Sequence, residues 1–63
     1  MKKITSISDF SYEHNIAHFS GKKNYEDAIK EAQEWATRNS KELVAYFEQS
    51  AFGKSILVSY KDK

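Results

Sequence analysis

Apolar residues recur every three or four positions in the middle of the chain, which is the period of one face of an α-helix. They are Tyr25, Ala28, Ile29, Ala32, Trp35 and Ala36. Asn24 is a favoured N-cap residue, and the acids Glu26 and Asp27 suit the positive end of the helix dipole. The pattern predicts an amphipathic helix from Tyr25 to Arg38 or Asn39, with an acidic outer face.

Two runs rich in β-branched and aromatic residues follow, from Glu42 to Gln49 and from Lys54 to Lys61, and they predict a hairpin around Gly53. A one-residue slip between the strands exchanges the two faces of the sheet. A three-residue loop pairs Glu48 with Ile56 and mixes a carboxylate into the apolar set. A four-residue loop, 50–53, gives an entirely apolar face, so we expect this register. The side chains then facing the helix are Leu43, Ala45, Phe47, Ile56, Val58 and Tyr60.

The N-terminal part shows no unbroken alternation, because Ile4 and Phe10 share one parity while Ile7 and Phe19 share the other. We interpret it as strands near 2–8 and 15–20 joined by a turn or bulge. The predicted fold is a single α+β domain over 1–63, an antiparallel sheet of three or four strands in the order β-β-α-β-β, with the helix packed on one face. The alternative, β-α-β-β, treats 10–19 as a loop or short helix.

The composition narrows the possible functions. The chain has 63 residues, a formal net charge of +1 and no cysteine, so it has neither a disulfide framework nor a thiolate metal site. A chain of this length buries only about 60% of its unfolded surface. We expect the aromatic residues, 14% of the chain, to supply the bulk of the core. Association with a second copy or a host partner adds buried area.

No run of apolar residues has the length of a secretory signal or a membrane span. We therefore expect a cytoplasmic protein that does not contact a membrane. The absence of cysteine agrees with a reducing compartment.

Catalytic and metal-binding patterns are weak. His14 and His18 share a face on a helix, but in an extended strand residues four apart lie about 13 Å from each other, too far to hold one ion. No serine lies in a G-x-S-x-G turn, and so small a domain has little room for a pocket of about 300 Å³. We expect no enzyme activity, no catalytic residue, no metal and no cofactor.

The candidate contact residues lie on the hairpin. In the expected register Val44, Tyr46 and Leu57 point away from the helix, where either a partner or the N-terminal strands cover them. Phe52, beside Lys54 in the loop, either contacts a partner or folds back on its own core. The predicted protein-binding residues are therefore Val44, Tyr46, Phe52, Lys54 and Leu57.

The short frame Met1–Lys63, the helix that opens with Asn24-Tyr25-Glu26-Asp27-Ala28 and the closing hairpin LVAYFEQSAFGKSILVSYKDK are similar to the small phage-encoded inhibitors of bacterial defence, the anti-CRISPR proteins in particular. The resemblance implies direct, stoichiometric blockade of a host protein or complex without catalysis. Two other functions are open at this point. Lysines near aromatics on a sheet favour nucleic-acid binding, against which the low net charge and the single arginine argue. A homodimer or other homo-oligomeric structural subunit is the second alternative.

Overall fold

The computed structural model describes residues 1–10, 14–50 and 53–63. In chain order it contains β1 (Lys2–Ile4), a short 3₁₀ helix (Ile7–Asp9), β2 (Asn15–Lys22), α1 (Tyr25–Arg38), β3 (Lys41–Gln49) and β4 (Lys54–Asp62). The predicted α+β class is confirmed, and the helix and both hairpin strands lie within one residue of their expected bounds. The strand expected near 2–8 is shorter, because a 3₁₀ turn replaces its second half.

The sheet is mixed, and here the expectation of a wholly antiparallel sheet is wrong. Its strand order is β1-β3-β4-β2, with β1 parallel to β3 and the other two pairings antiparallel. The hairpin thus forms the centre, and β1 and β2 lie at opposite edges. The chain between β1 and β2 consequently runs from one edge of the sheet to the other.

The hairpin register changes at Val44. Leu43 lies opposite Tyr60 as expected, but Tyr46 then lies opposite Val58 and Glu48 opposite Ile56. Between Leu43 and Ala45 strand β3 advances two residues while β4 advances one, which is a β-bulge. The expected register is therefore correct before the bulge and wrong after it, where Ala45 and Phe47 exchange faces with Tyr46 and Glu48.

Each face of the sheet carries its own small core. On the helix face, the fully buried Ala28 and Ala32 of α1 pack against Ile56 and Val58 of β4. Small alanine side chains allow the helix backbone to approach the sheet closely. On the opposite face, which we call the second face, Ile4, Phe10 and Ala45 form a separate buried cluster with Phe47 and Leu57 at its margin.

Aromatic side chains surround the helix-face core without filling it. The Trp35 ring makes edge-to-face contacts with Phe19 at 5.7 Å and with Tyr60 at 4.9 Å between ring centroids. These rings are only half-buried, as are Tyr25 and Tyr46. The most deeply buried apolar side chains on this face are those of alanine, isoleucine and valine, and the large rings pack around them.

Both ends of α1 are capped by asparagine. The backbone N–H of Asp27 donates to the Asn24 side-chain oxygen at 2.9 Å, as expected for an N-cap. At the other end, the backbone N–H and the side-chain amide of Asn39 both donate to the Trp35 carbonyl, at 3.0 and 2.8 Å. Ser40 follows with a φ of 55°, the left-handed conformation that ends many helices, and turns the chain into β3.

Candidate protein-binding surface

Residues 5–10, which follow β1 and which we call the crossing segment, cover part of the second face, where Asp9 and Phe10 lie against it. Ile4 and Phe10 are each only 6% exposed, and Phe10 packs into the cluster that contains Ala45. Of the two interpretations of this hairpin face, the one in which N-terminal residues cover it is therefore correct for the area around Ala45. The covered area does not extend across the whole face.

A second area of this face stays open. Ile16 lies opposite Ser59, and His18 opposite Leu57, so all four side chains project from the second face. Ile16 is 49% exposed, His18 is exposed, and Leu57 is half-buried. We call Ile16, His18 and Leu57 the open corner. It combines two branched apolar side chains with an imidazole on two hydrogen-bonded strands.

The crossing segment also encloses a cleft of about 430 Å³ against the second face. Its lining residues come from both sides and include charged, polar and apolar side chains: Lys2, Ile4, Asp9, Phe10, His14, Val44, Ala45 and Ser59. The expectation that so small a domain has little room for a pocket is wrong. A serine nucleophile in this cleft would need to donate its hydroxyl hydrogen bond to a base such as the His14 imidazole. The Ser59 hydroxyl instead donates to the Ala45 carbonyl, at 3.4 Å.

The predicted contact residues are distributed over several surfaces. Val44 lies at the bulge and lines the cleft, and Leu57 belongs to the open corner. Tyr46 instead packs against the helix-face core, because the bulge turns it towards α1; its expected position on the second face is wrong. Lys54 is exposed, with its ammonium 5.0 Å from the centre of the Tyr25 ring. Phe52 lies outside the described residues.

Ile16 and His18 are absent from the predicted contact set. Both belong to the segment His14-Asn15-Ile16-Ala17-His18, in which the spacing of the two histidines indicates a metal pattern and not a contact surface. The useful signal was the shared parity of Ile16 and His18 on a strand, since it places an isoleucine and an imidazole together on one face. Which face of the sheet these two side chains occupy follows only from the pairing of β2 with β4.

Several lysines at the surface have an acidic neighbour. Lys3 pairs with Glu48 and Lys22 with Glu31, each at 2.9 Å. Lys61 lies 3.2 Å from Glu42, and the Lys41 ammonium contacts the Asp62 carboxylate. Hydrogen bonds to these carboxylates raise the pKa of Lys3, Lys22 and Lys41 above the ordinary lysine value. Exposed pairs of this kind add little stability, but each places a carboxylate beside a lysine and so offsets one of the ten basic charges on which nucleic-acid binding depends.

Within 1–10, 14–50 and 53–63, no three histidine, cysteine, aspartate or glutamate side chains come close enough together to hold a metal ion. Within the same residues, no helix has the length and apolar character needed to cross a bilayer.

Comparison of the chain with known proteins gives no match to a family model, a curated protein or a solved structure.

Proposed function

We propose that this chain is a non-enzymatic protein-binding domain that acts, like the small phage-encoded inhibitors it resembles, by direct binding to a host protein of a bacterial defence complex. The observation that supports the proposal is the open corner, where Ile16 is 49% exposed beside His18 and Leu57. Exposed apolar side chains that project together from one face are typical of protein-interaction sites.

The open corner suits binding because its backbone is held in place before a partner arrives. Ile16 and His18 lie on β2, whose residues pair in register with Ser59 and Leu57 of β4. Hydrogen-bonded strands lose little conformational entropy on association, so more of the contact energy contributes to affinity. The cytoplasm of a bacterial host is the proposed site of action.

The first test is capture of a partner from bacterial lysate with tagged protein, in parallel with and without nuclease. We expect nuclease-resistant capture of a protein that Ile16→Asp weakens by at least tenfold, because a carboxylate at the interface centre would be desolvated without a partner. Ile7→Asp is the matched control, since Ile7 is 53% exposed but lies on the 3₁₀ helix outside the open corner.

Three results of this test would contradict the proposal. Loss of capture after nuclease treatment would indicate a nucleic-acid-binding protein. Equal weakening by the Ile7 and Ile16 variants would indicate nonspecific hydrophobic adsorption. Unchanged capture by both variants would place the interface away from the open corner.

A further inference from the structure

Strand β2 forms one edge of the sheet, and its outer side has no strand beside it among the described residues. It runs for eight residues, pairs on its inner side with β4, and exposes the side chains of Asn15, Ile16, His18 and Ser20. Every second residue of such a strand directs its N–H and C=O groups outwards, where they can pair with another extended chain.

The two edges of the sheet differ in how they are protected. At the β1 edge the strand has only three residues, and two of them, Lys2 and Lys3, are charged. Short strands and edge lysines are devices by which proteins prevent edge-to-edge association. Residues 15–20 contain no lysine, proline or acid, and the irregularity in the β2–β4 pairing comes later, between Phe19 and Lys22. Residues 15–20 of the β2 edge therefore lack this protection, and only the end of the strand, with Lys22 and the irregularity before it, has it.

We propose that the β2 edge pairs with β2 of a second copy of this chain, antiparallel and across a two-fold axis perpendicular to the sheet. The result is a continuous eight-stranded sheet with β2 of both copies at its centre. A second copy fits this edge because residues 15–20 carry no lysine, arginine, aspartate or glutamate, so antiparallel self-pairing places no such like charges opposite each other.

The two-fold axis also determines which side chains meet. Directly opposed residues of an antiparallel pair project from the same face, so Ile16 and His18 of both copies lie together on the second face. Ala17 and Phe19 of both copies lie together on the helix face, and both α1 helices are then on one side of the sheet. In the dimer each half-exposed Ile16 gains neighbours across the new strand pair.

Pairing also joins the two open corners into one surface. If a host protein binds this joined surface, that host protein recognises the dimer and not the single copy. This step alone rests on the proposed function. The pairing itself depends only on the β2 edge.

Sedimentation and amide hydrogen exchange of the untagged protein, from micromolar to millimolar concentration, test the pairing. We expect the mass to rise from 7.3 kDa to twice that value. In the dimer the amides of consecutive residues from Ile16 to Phe19 are all protected from exchange, whereas in a monomer only every second one, bonded to β4, is protected. Ile16→Lys raises the dimer dissociation constant at least tenfold, and the equally exposed Ile7→Lys leaves it unchanged.

A constant mass of 7.3 kDa with alternating protection along β2 would overturn the pairing. So would a dimer in which every second β2 amide still exchanges rapidly, because its interface would lie elsewhere. The exchange pattern is read on the unmodified chain and does not depend on folding of the lysine variant. A monomer that captures a host protein through the open corner contradicts the pairing alone, and a dimer that captures nothing contradicts the proposed function alone.

Discussion

Replacing Ile56 by alanine is expected to remove most of the stability of this domain. Ile56 is fully buried at the centre of the helix-face core, where it packs with Ala28 and Ala32 of α1. Truncation of a fully buried isoleucine typically costs about 2–5 kcal/mol, since it loses apolar burial and leaves a cavity. A domain of this length has a free energy of unfolding of about 3–9 kcal/mol. At the middle of both ranges the alanine variant therefore keeps less than half of the free energy of unfolding of the unmodified domain.

Urea unfolding followed by circular dichroism measures this loss. Ile56→Val, which removes one methylene, is expected to cost only about 0.5–1.5 kcal/mol. Ile29→Ala is a second control, because Ile29 of α1 packs against the same core as Ile56 but is only half-buried at its margin. If Ile29→Ala proves as destabilising as Ile56→Ala, the core is not centred where the structure places it.

Replacing Phe10 by alanine is expected to release the crossing segment from the second face. Phe10 is 6% exposed and packs with Ile4 and Ala45, although it lies outside any helix or strand. Loss of a buried phenylalanine side chain typically costs about 3–5 kcal/mol. The same change uncovers the apolar side chains of Phe47 and Leu57, which Phe10 and its neighbours now partly shield.

Two readouts distinguish this effect from general destabilisation. The unfolding midpoint falls, and binding of a hydrophobic dye to the folded variant increases because the second face is uncovered. Ile7→Ala serves as the control, since Ile7 lies on the same segment but is 53% exposed; it is expected to change stability by less than about 0.5 kcal/mol. Equal effects of the two substitutions would show that Phe10 does not anchor the segment.

The sequence pattern predicted those elements whose signals are local. The helix has a continuous apolar face, an asparagine at its start and an arginine in its last turn, and its bounds are those expected. The hairpin strands are separated by a short loop that ends in Gly53, whose φ of 85° suits glycine. None of these features depends on distant parts of the chain.

The register beyond Val44 was not predictable from alternation. The run from Leu43 to Phe47 is apolar at both parities, so alternation within it selects neither face, and the Glu48 carboxylate was the feature that favoured the register the structure does not have here. The ambiguity has a physical origin, since the sheet buries apolar side chains on both faces. The bulge lets Leu43 and Tyr46 face the helix while Ala45 and Phe47 face the crossing segment.

The predicted binding set depended on that register and was only partly placed correctly. Leu57 projects from the second face as expected, whereas Tyr46 faces α1. The parallel pairing of β1 with β3 is likewise a long-range choice that no local pattern encodes. Residues 5–10 follow β1, and Phe10 covers the area around Ala45, whereas Ile16 stays open.

The division of β3 between two cores is tested most directly by nuclear Overhauser effects in solution. We predict cross-peaks between the Ala45 methyl group and the Phe10 ring, and between the Tyr46 ring and Val58 on the helix face. An unbulged hairpin would instead place Ala45 opposite Val58, towards the helix, and Tyr46 on the second face. Cross-peaks from Ala45 to α1 and from Tyr46 to Phe10 would contradict the bulge and the division of β3 between the two cores.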